Sequence, residues 1–185
     1  DGRVGSAINF DGTDDWITNT SLISDASTYF ARTKSTVSLW IKSSDAINGS
    51  IRYVIVNGQE TCGFTWDYHS SMYRQSWWVK QGSSGDSGTG WWIAKYTTSL
   101  QPNTWYHIVM TYDSEIGLKA YLNGKLEVHN SGITGTLTAP TKDLHIGAAQ
   151  SSSPAYSFNG IIDDVRIYDT ALSRDQIRDI YTNKP

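Results

Sequence analysis

The 185-residue chain carries 15 basic and 18 acidic residues, a formal net charge of −3, and so lacks the basic footprint of a nucleic-acid binder. No apolar run approaches the roughly 20 residues that span a bilayer. A single cysteine, Cys62, excludes an internal disulfide and any zinc site built from several cysteines. Hydrophobic residues make up 38% and charged residues 18%, a globular balance, yet there are 8 Trp and 11 Tyr. Trp ordinarily accounts for about one residue in a hundred. With no initiating Met and no signal-peptide pattern, Asp1 reads as a processing boundary, and residues 1–185 as one domain of a longer protein.

Turn signals recur at short intervals: Asp11-Gly12, Asn48-Gly49, Asn57-Gly58, the stretch 82–90, Asn123-Gly124, the stretch 132–135 and Asn159-Gly160. Between them lie short segments rich in Val, Ile, Thr, Trp and Tyr, the pattern of an all-β sandwich or barrel. Thr36 to Lys42 alternates, with Val37, Leu39 and Ile41 on one face and Ser38, Trp40 and Lys42 on the other. Residues 63–69, 75–81 and 90–96 read as a meander. Trp105 to Tyr112 sets Tyr106, Ile108, Met110 and Tyr112 opposite Trp105, His107, Val109 and Thr111. His107 is expected to be structural, its polar nitrogen satisfied at a sheet edge. Asn123-Gly124, between the β-rich arms of Lys119 to Val128, suits a type I′ hairpin, in which both central residues need positive φ. Gly160 to Tyr168 reads as a late strand. Ser173 then opens Ser-Arg-Asp-Gln, a capping box with Gln176 at N3 and a Leu172–Ile177 staple. Ile177, Ile180 and Tyr181 give the short helix one packing face.

An ordered series of segments carries a family resemblance: Ala-Ile-Asn-Phe-Asp-Gly-Thr-Asp-Asp-Trp-Ile (7–17), Thr-Val-Ser-Leu-Trp-Ile-Lys (36–42), Thr-Trp-Tyr-His-Ile-Val-Met-Thr-Tyr-Asp (104–113), Tyr-Leu-Asn-Gly-Lys (121–125), Leu-His-Ile-Gly (144–147) and Phe-Asn-Gly-Ile-Ile-Asp-Asp-Val-Arg-Ile-Tyr-Asp-Thr-Ala-Leu-Ser (158–173). The chain resembles the laminin G-like, concanavalin A-like lectin/glucanase superfamily over about residues 5–181, in its bacterial jelly-roll form. The resemblance implies a two-sheet antiparallel jelly-roll sandwich with one short C-terminal helix. It further implies use as an extracellular adhesion or carbohydrate-binding module of a larger protein, and a structural calcium. Its motif positions nominate Asp11, the carbonyl of Gly12, and Asp163 as calcium ligands, oxygen donors suited to a hard cation. Asp163 and Asp164 adjoin on a strand and point oppositely, so at most one reaches such an ion. The alternative is a turn-forming Asp-Gly with solvated carboxylates.

The Trp surplus is local. Trp16, Trp40 and Trp105 fall in family-like framework strands, whereas Trp66, Trp77, Trp78, Trp91 and Trp92 crowd into the meander. Neighbours on a strand face opposite ways, so each Trp-Trp pair sends one ring inward and one outward. An outward ring suits the C–H face of a sugar. The candidate ligand surface is therefore Trp66, Tyr68, His69, Tyr73, Arg74, Trp77, Trp78, Trp91 and Trp92, with Asp67, Gln75 and Lys80 as further polar neighbours. The alternative is rings that merely cover the sheet.

Catalysis has little support. His69 and Tyr68, a conceivable base and acid, face opposite sides of an ideal strand. Glu occurs only at 60, 115 and 127, which cannot supply paired carboxylates on one strand. The sequence thus points to a non-catalytic carbohydrate-binding module, extracellular or on a cell surface, with a glycan as partner, contacts to neighbouring domains, and neither nucleic acid nor membrane insertion. A protein-adhesion module is the alternative, and a polysaccharide-cleaving enzyme the third reading.

Overall fold

Strand alternation decides which side chains meet between the sheets, and the strands form where that alternation predicts. A computed structural model describes residues 2–19, 33–57, 62–67, 75–81, 90–139, 143–149 and 156–182. In chain order the elements are β1 (Ile8–Asp11), β2 (Ile17–Asn19), β3 (Lys34–Ser43), β4 (Arg52–Asn57), β5 (Cys62–Asp67), β6 (Ser76–Gln81), β7 (Gly90–Lys95), β8 (Tyr106–Asp113), β9 (Gly117–Leu122), β10 (Lys125–Asn130), β11 (Leu144–Ile146), β12 (Asn159–Tyr168) and α1 (Arg174–Thr182). One sheet has the order β1-β12-β3-β8-β9-β10 and the other β2-β11-β4-β5-β6-β7, six strands each. All the pairings are antiparallel, as in a jelly-roll sandwich.

The core lies between the sheets. Val37, Leu39 and Ile41 of β3 and Ile108, Met110 and Tyr112 of β8 join Phe64, Trp66, Trp77 and Val79 of the second sheet in one buried cluster. Cys62 is buried among them, and desolvation pushes its thiol pKa far up, which leaves it inert. The β9–β10 hairpin turns through Asn123 (φ 49°) and Gly124 (φ 76°), both left-handed as a type I′ turn requires. A Cβ on Gly124 would also press to 3.1 Å from the Tyr181 ring.

Three expectations change. Asn159-Gly160 is no turn: both residues start β12, where Gly160 lies close against the backbone of Lys42 and Ser43. Trp16 and Trp105 precede β2 and β8 rather than lying within them, and Trp16 is 42% exposed. His107 sits in β8, between β3 and β9, and not at a sheet edge.

The helix caps as its sequence requires. The Ser173 N–H donates to Gln176 Oε1 (2.8 Å), and the Gln176 N–H donates to Ser173 Oγ (3.3 Å). Ile177 packs with Val109, Tyr121 and Leu172 on the outer face of the first sheet. Tyr181 stacks on Trp40 (5.5 Å) and His107 (5.8 Å). The N-terminal strap covers the same face: the Arg3 guanidinium stands 4.8 Å over the Trp40 ring. Asp163 fixes the strap, accepting from the N–H groups of Arg3 (2.6 Å) and Val4 (2.7 Å). The helix and strap thus cap the first sheet, while the outer face of the second carries Trp78 and Trp91.

Candidate functional site

Strands β5, β6 and β7 form the predicted meander, and their register decides the direction of each tryptophan. Phe64 pairs with Trp77, Gly63 with Trp78, Trp78 with Ile93 and Lys80 with Trp91. Phe64 is core, so Trp77 points inward and Trp78 outward. On β7, Ala94 and Trp92 face the core, while Trp91, Ile93 and Lys95 face out. Each Trp-Trp pair is therefore split, as alternation predicts, with Trp78 and Trp91 outward.

The outward rings build a platform. Trp78 lies flat enough over β5 that a Cβ on Gly63 would meet its ring at 2.8 Å, so glycine leaves the room this ring needs. Trp91 sets its edge against Trp78 at 5.0 Å and stays 40% exposed, whereas Trp78 keeps only 3%. Tyr53 meets Trp78 (6.4 Å) and Tyr156 (6.0 Å), both edge to face. A bulge in β4 around Val54 brings Tyr53 and Val56, three residues apart, onto this same face. The Lys80 ammonium stands 5.7 Å from the Trp91 ring centroid, a cation–π contact. Along β7 the outward line continues through Ile93 to Lys95, at the rim of a cleft of about 430 Å³ lined also by Ile47, Gln75 and residues 96–99.

Polar groups near this surface are largely committed. Asp67 accepts from the N–H groups of Asn48 (2.7 Å) and Gly49 (2.8 Å), so it holds a loop. Gln75 exchanges hydrogen bonds with the backbone of Leu100. Glu127 accepts from the Thr97 hydroxyl (2.5 Å) and from the Thr98 hydroxyl (3.0 Å) and N–H (3.2 Å). Those donors hold its carboxyl below the usual carboxylate range.

The nominated ligand residues thus divide. Trp66 and Trp77 are fully buried and belong to the core; Trp66 donates its indole N–H to the Asp45 carbonyl (3.1 Å). Trp92 is half-buried on the core side, its indole nitrogen buried with no partner among the described residues. Tyr68, His69, Tyr73 and Arg74 lie outside the described residues. Trp78 and Trp91 alone of the described set stand on the outer face. Tyr53 and Tyr156 escaped notice in the sequence because one depends on the β4 bulge and the other arrives from a distant loop.

The nominated metal ligands are not brought together. Asp11 pairs with Asn159 and Ile8 with Ile162, so Asp163 falls opposite the far end of β1, about 13 Å from Asp11 at the strand rise. The oxygens of Asp163 are already taken by three N–H groups, those of Arg3, Val4 and Asp164. Asp164 has φ 48° at a bulge, so strict alternation fails there. The acidic group that does form is Asp11, Asp14 and Asp15, exposed, with carboxylate oxygens within 4.8 Å of one another.

Comparison with known proteins places this geometry. A family model described as the concanavalin A-like lectin/glucanases superfamily matches residues 11–178. The chain is 26% identical over 159 residues to the sushi, von Willebrand factor type A, EGF and pentraxin domain-containing protein 1 of Rattus norvegicus, covering 81% of this chain but only 4% of that relative. Among solved structures it resembles domain 4 of AbnA, a GH43 extracellular arabinanase from Geobacillus stearothermophilus, in complex with arabinotriose. That match has a TM-score of 0.71 at 19% identity and covers 98% of this chain and 79% of the other. The ligand-binding domain of botulinum neurotoxin serotype D in complex with N-acetylneuraminic acid gives 0.63 at 18% identity, over 97% of this chain and 45% of the other. Identities this low speak to fold alone.

Proposed function

The chain belongs to the concanavalin A-like lectin/glucanase superfamily, and from that premise we propose that it is a non-catalytic carbohydrate-binding module of a secreted or surface protein. The observation that carries the reading is the Trp91 ring, 40% exposed on a bed of Trp78, Tyr53 and Tyr156, on the sheet face opposite helix and strap. An open ring presents an apolar plate to a pyranose, while polar neighbours select among hydroxyls. Trp78, Trp91, Ile93 and Lys80 include no carboxylate or imidazole, which favours binding over cleavage. The arabinotriose and N-acetylneuraminic acid held by the two structural neighbours support a sugar ligand. No helix among the described residues is long and apolar enough to cross a membrane, which is compatible with an extracellular module.

Trp91→Ala is the direct test. Loss of an anchoring Trp commonly costs tenfold or more in affinity, so glycan binding by calorimetry should weaken by at least about that factor. The ring is exposed, so the melting temperature should hold within about 2 °C. If no glycan on an array binds at millimolar concentration with calcium present, the carbohydrate reading fails. A protein-contact module is the second reading, favoured by an apolar groove of about 260 Å³ beside the half-exposed Ile8 and Ile17.

The Asp11, Asp14 and Asp15 cluster fits calcium chemically: three carboxylates, no nitrogen or sulfur donor, and open access for water to complete the shell. These residues would hold the ion, which would tie the end of β1 to the loop before β2. A chelator should then lower the melting temperature by several degrees, as expected for loss of a ligand bound only by the folded state. An identical melt before and after chelation would dismiss the ion.

A further inference from the structure

We infer that the Trp91 platform takes a linear glycan by its internal units, a chain lying obliquely across the strands, and not a single terminal sugar; this rests on the carbohydrate reading above. The direction follows from the register. Trp78 shares a row across the sheet with Ile93 on one side and with Gly63 and then Val56 on the other. Trp91 belongs to the next row in one direction, opposite Lys80, and Tyr53 to the next row in the other direction, opposite Thr65. Strands β7 and β4, which carry these two rings, have β6 and β5 between them, so three strand spacings, about 14 Å, separate their backbones. The rings lean together over that gap. Trp91 lies 5.0 Å from Trp78 and Tyr53 lies 6.4 Å from it, both edge to face. Tyr156 meets Tyr53 at 6.0 Å and enlarges the second end.

Exposure divides this belt into two plates. Trp91 is open, Trp78 beneath it is buried, and Tyr53 and Tyr156 are half-buried. The ring faces are what a sugar would use, each offering an apolar surface to C–H groups. A sugar ring is about as large as one aromatic ring, so no single sugar rests on both plates. Two plates with a covered ring between them call for one unit on each and a unit bridging Trp78. The position of Trp91 points the same way. Strand β7 is the last of its sheet, so no further strand stands beyond Trp91 and a chain can run on past it. A terminal sugar is gripped from several sides, whereas here the most open ring sits at the rim. The belt therefore recognises a stretch of chain, with neither end of the glycan needed.

The test titrates arabino-, galacto- and xylo-oligosaccharides of one to six units by calorimetry, together with linear arabinan, galactan and xylan. In a series that binds, affinity should rise about tenfold or more between one unit and three or four, then level off. The matching polymer should hold more copies of the protein per chain than it has ends. Tyr53→Ala should cut tetrasaccharide affinity severalfold while changing disaccharide affinity less than about twofold, whereas Trp91→Ala should weaken binding at every length. Tyr53→Leu keeps apolar volume against Trp78 but removes the plate, and should repeat the Tyr53→Ala result. Near-ultraviolet circular dichroism of each variant establishes that the Trp78 environment is intact. Single sugars binding as tightly as tetrasaccharides, a polymer stoichiometry limited to chain ends, or array binding confined to branched termini would overturn the internal-unit reading and leave the carbohydrate reading standing. Length dependence unchanged in both Tyr53 variants would overturn the oblique path. No binding by these chains, nor by any glycan of the array, would overturn both readings.

Discussion

Trp77→Ala is expected to remove about 3–5 kcal/mol of unfolding free energy, the range for truncating a large buried aromatic. For a chain of this length that corresponds to a fall in melting temperature of roughly 10 °C. Trp77 has no exposed surface and packs on Phe64 with ring centroids 5.1 Å apart. It also begins a polar chain through the core. Its indole N–H donates to the Tyr96 hydroxyl (3.0 Å), which donates in turn to the Tyr121 carbonyl (2.8 Å) on the opposite sheet. Burial pushes the Tyr96 phenol pKa far up, so this hydroxyl remains a donor at any ordinary pH. Trp77→Phe separates the two effects: it restores most of the volume but leaves the Tyr96 oxygen without its donor, at a cost of about 1–3 kcal/mol. Urea denaturation of the two variants measures both. A loss under about 1 kcal/mol for the alanine variant would show that this ring is not a keystone of the core.

The second large effect is acid destabilisation through His107. Its ring lies buried against both Trp40 and Tyr181, with Nε2 2.8 Å from the Ser38 hydroxyl and Nδ1 buried with no partner among the described residues. Burial, and then the nearby Arg166, push its pKa down from 6.5 to about 4. Arg3, held over Trp40, adds a further cation to the same face. The unfolded chain takes up a proton near pH 6.5, whereas the folded protein refuses it until about pH 4. Stability from this residue is therefore complete above pH 6.5 and is lost as the pH falls toward 4. The full loss is on the order of 3 kcal/mol. Urea midpoints at pH 7 and pH 4.5 should show the drop, and His107→Gln should flatten that part of the profile. A ring that titrates near pH 6.5 by NMR in the folded protein would refute the assignment without recourse to the variant.

The sequence disclosed the framework because each framework signal is local. Alternation in Thr36 to Lys42, the Asn123-Gly124 pair and the Ser173–Gln176 box each depend on neighbours within a few residues, and each appears in the structure as read. The site was legible only to the level of alternation. That rule split Trp77 from Trp78 and Trp91 from Trp92, but which member turns inward depends on the register against Phe64 and Gly63, which no local pattern records. Trp66 read as a ligand residue because it lies among the surplus; its partners are the core and the Asp45 carbonyl, distant in sequence. The proposed pairing of Asp11 with Asp163 failed for a similar reason. Both flank the same strand pair, but antiparallel register sends them to opposite ends of it.

Trp40 has one further consequence. Arg3 lies over its ring and Tyr181 stacks on it, so the two ends of the described chain converge on one aromatic side chain. Both therefore lie on the outer face of the first sheet, and the aromatic platform occupies the outer face of the second. A polypeptide joined at either end would be tethered from behind. The Trp91 surface would then be presented outward like the face of a pendant, clear of whatever the two ends are fastened to.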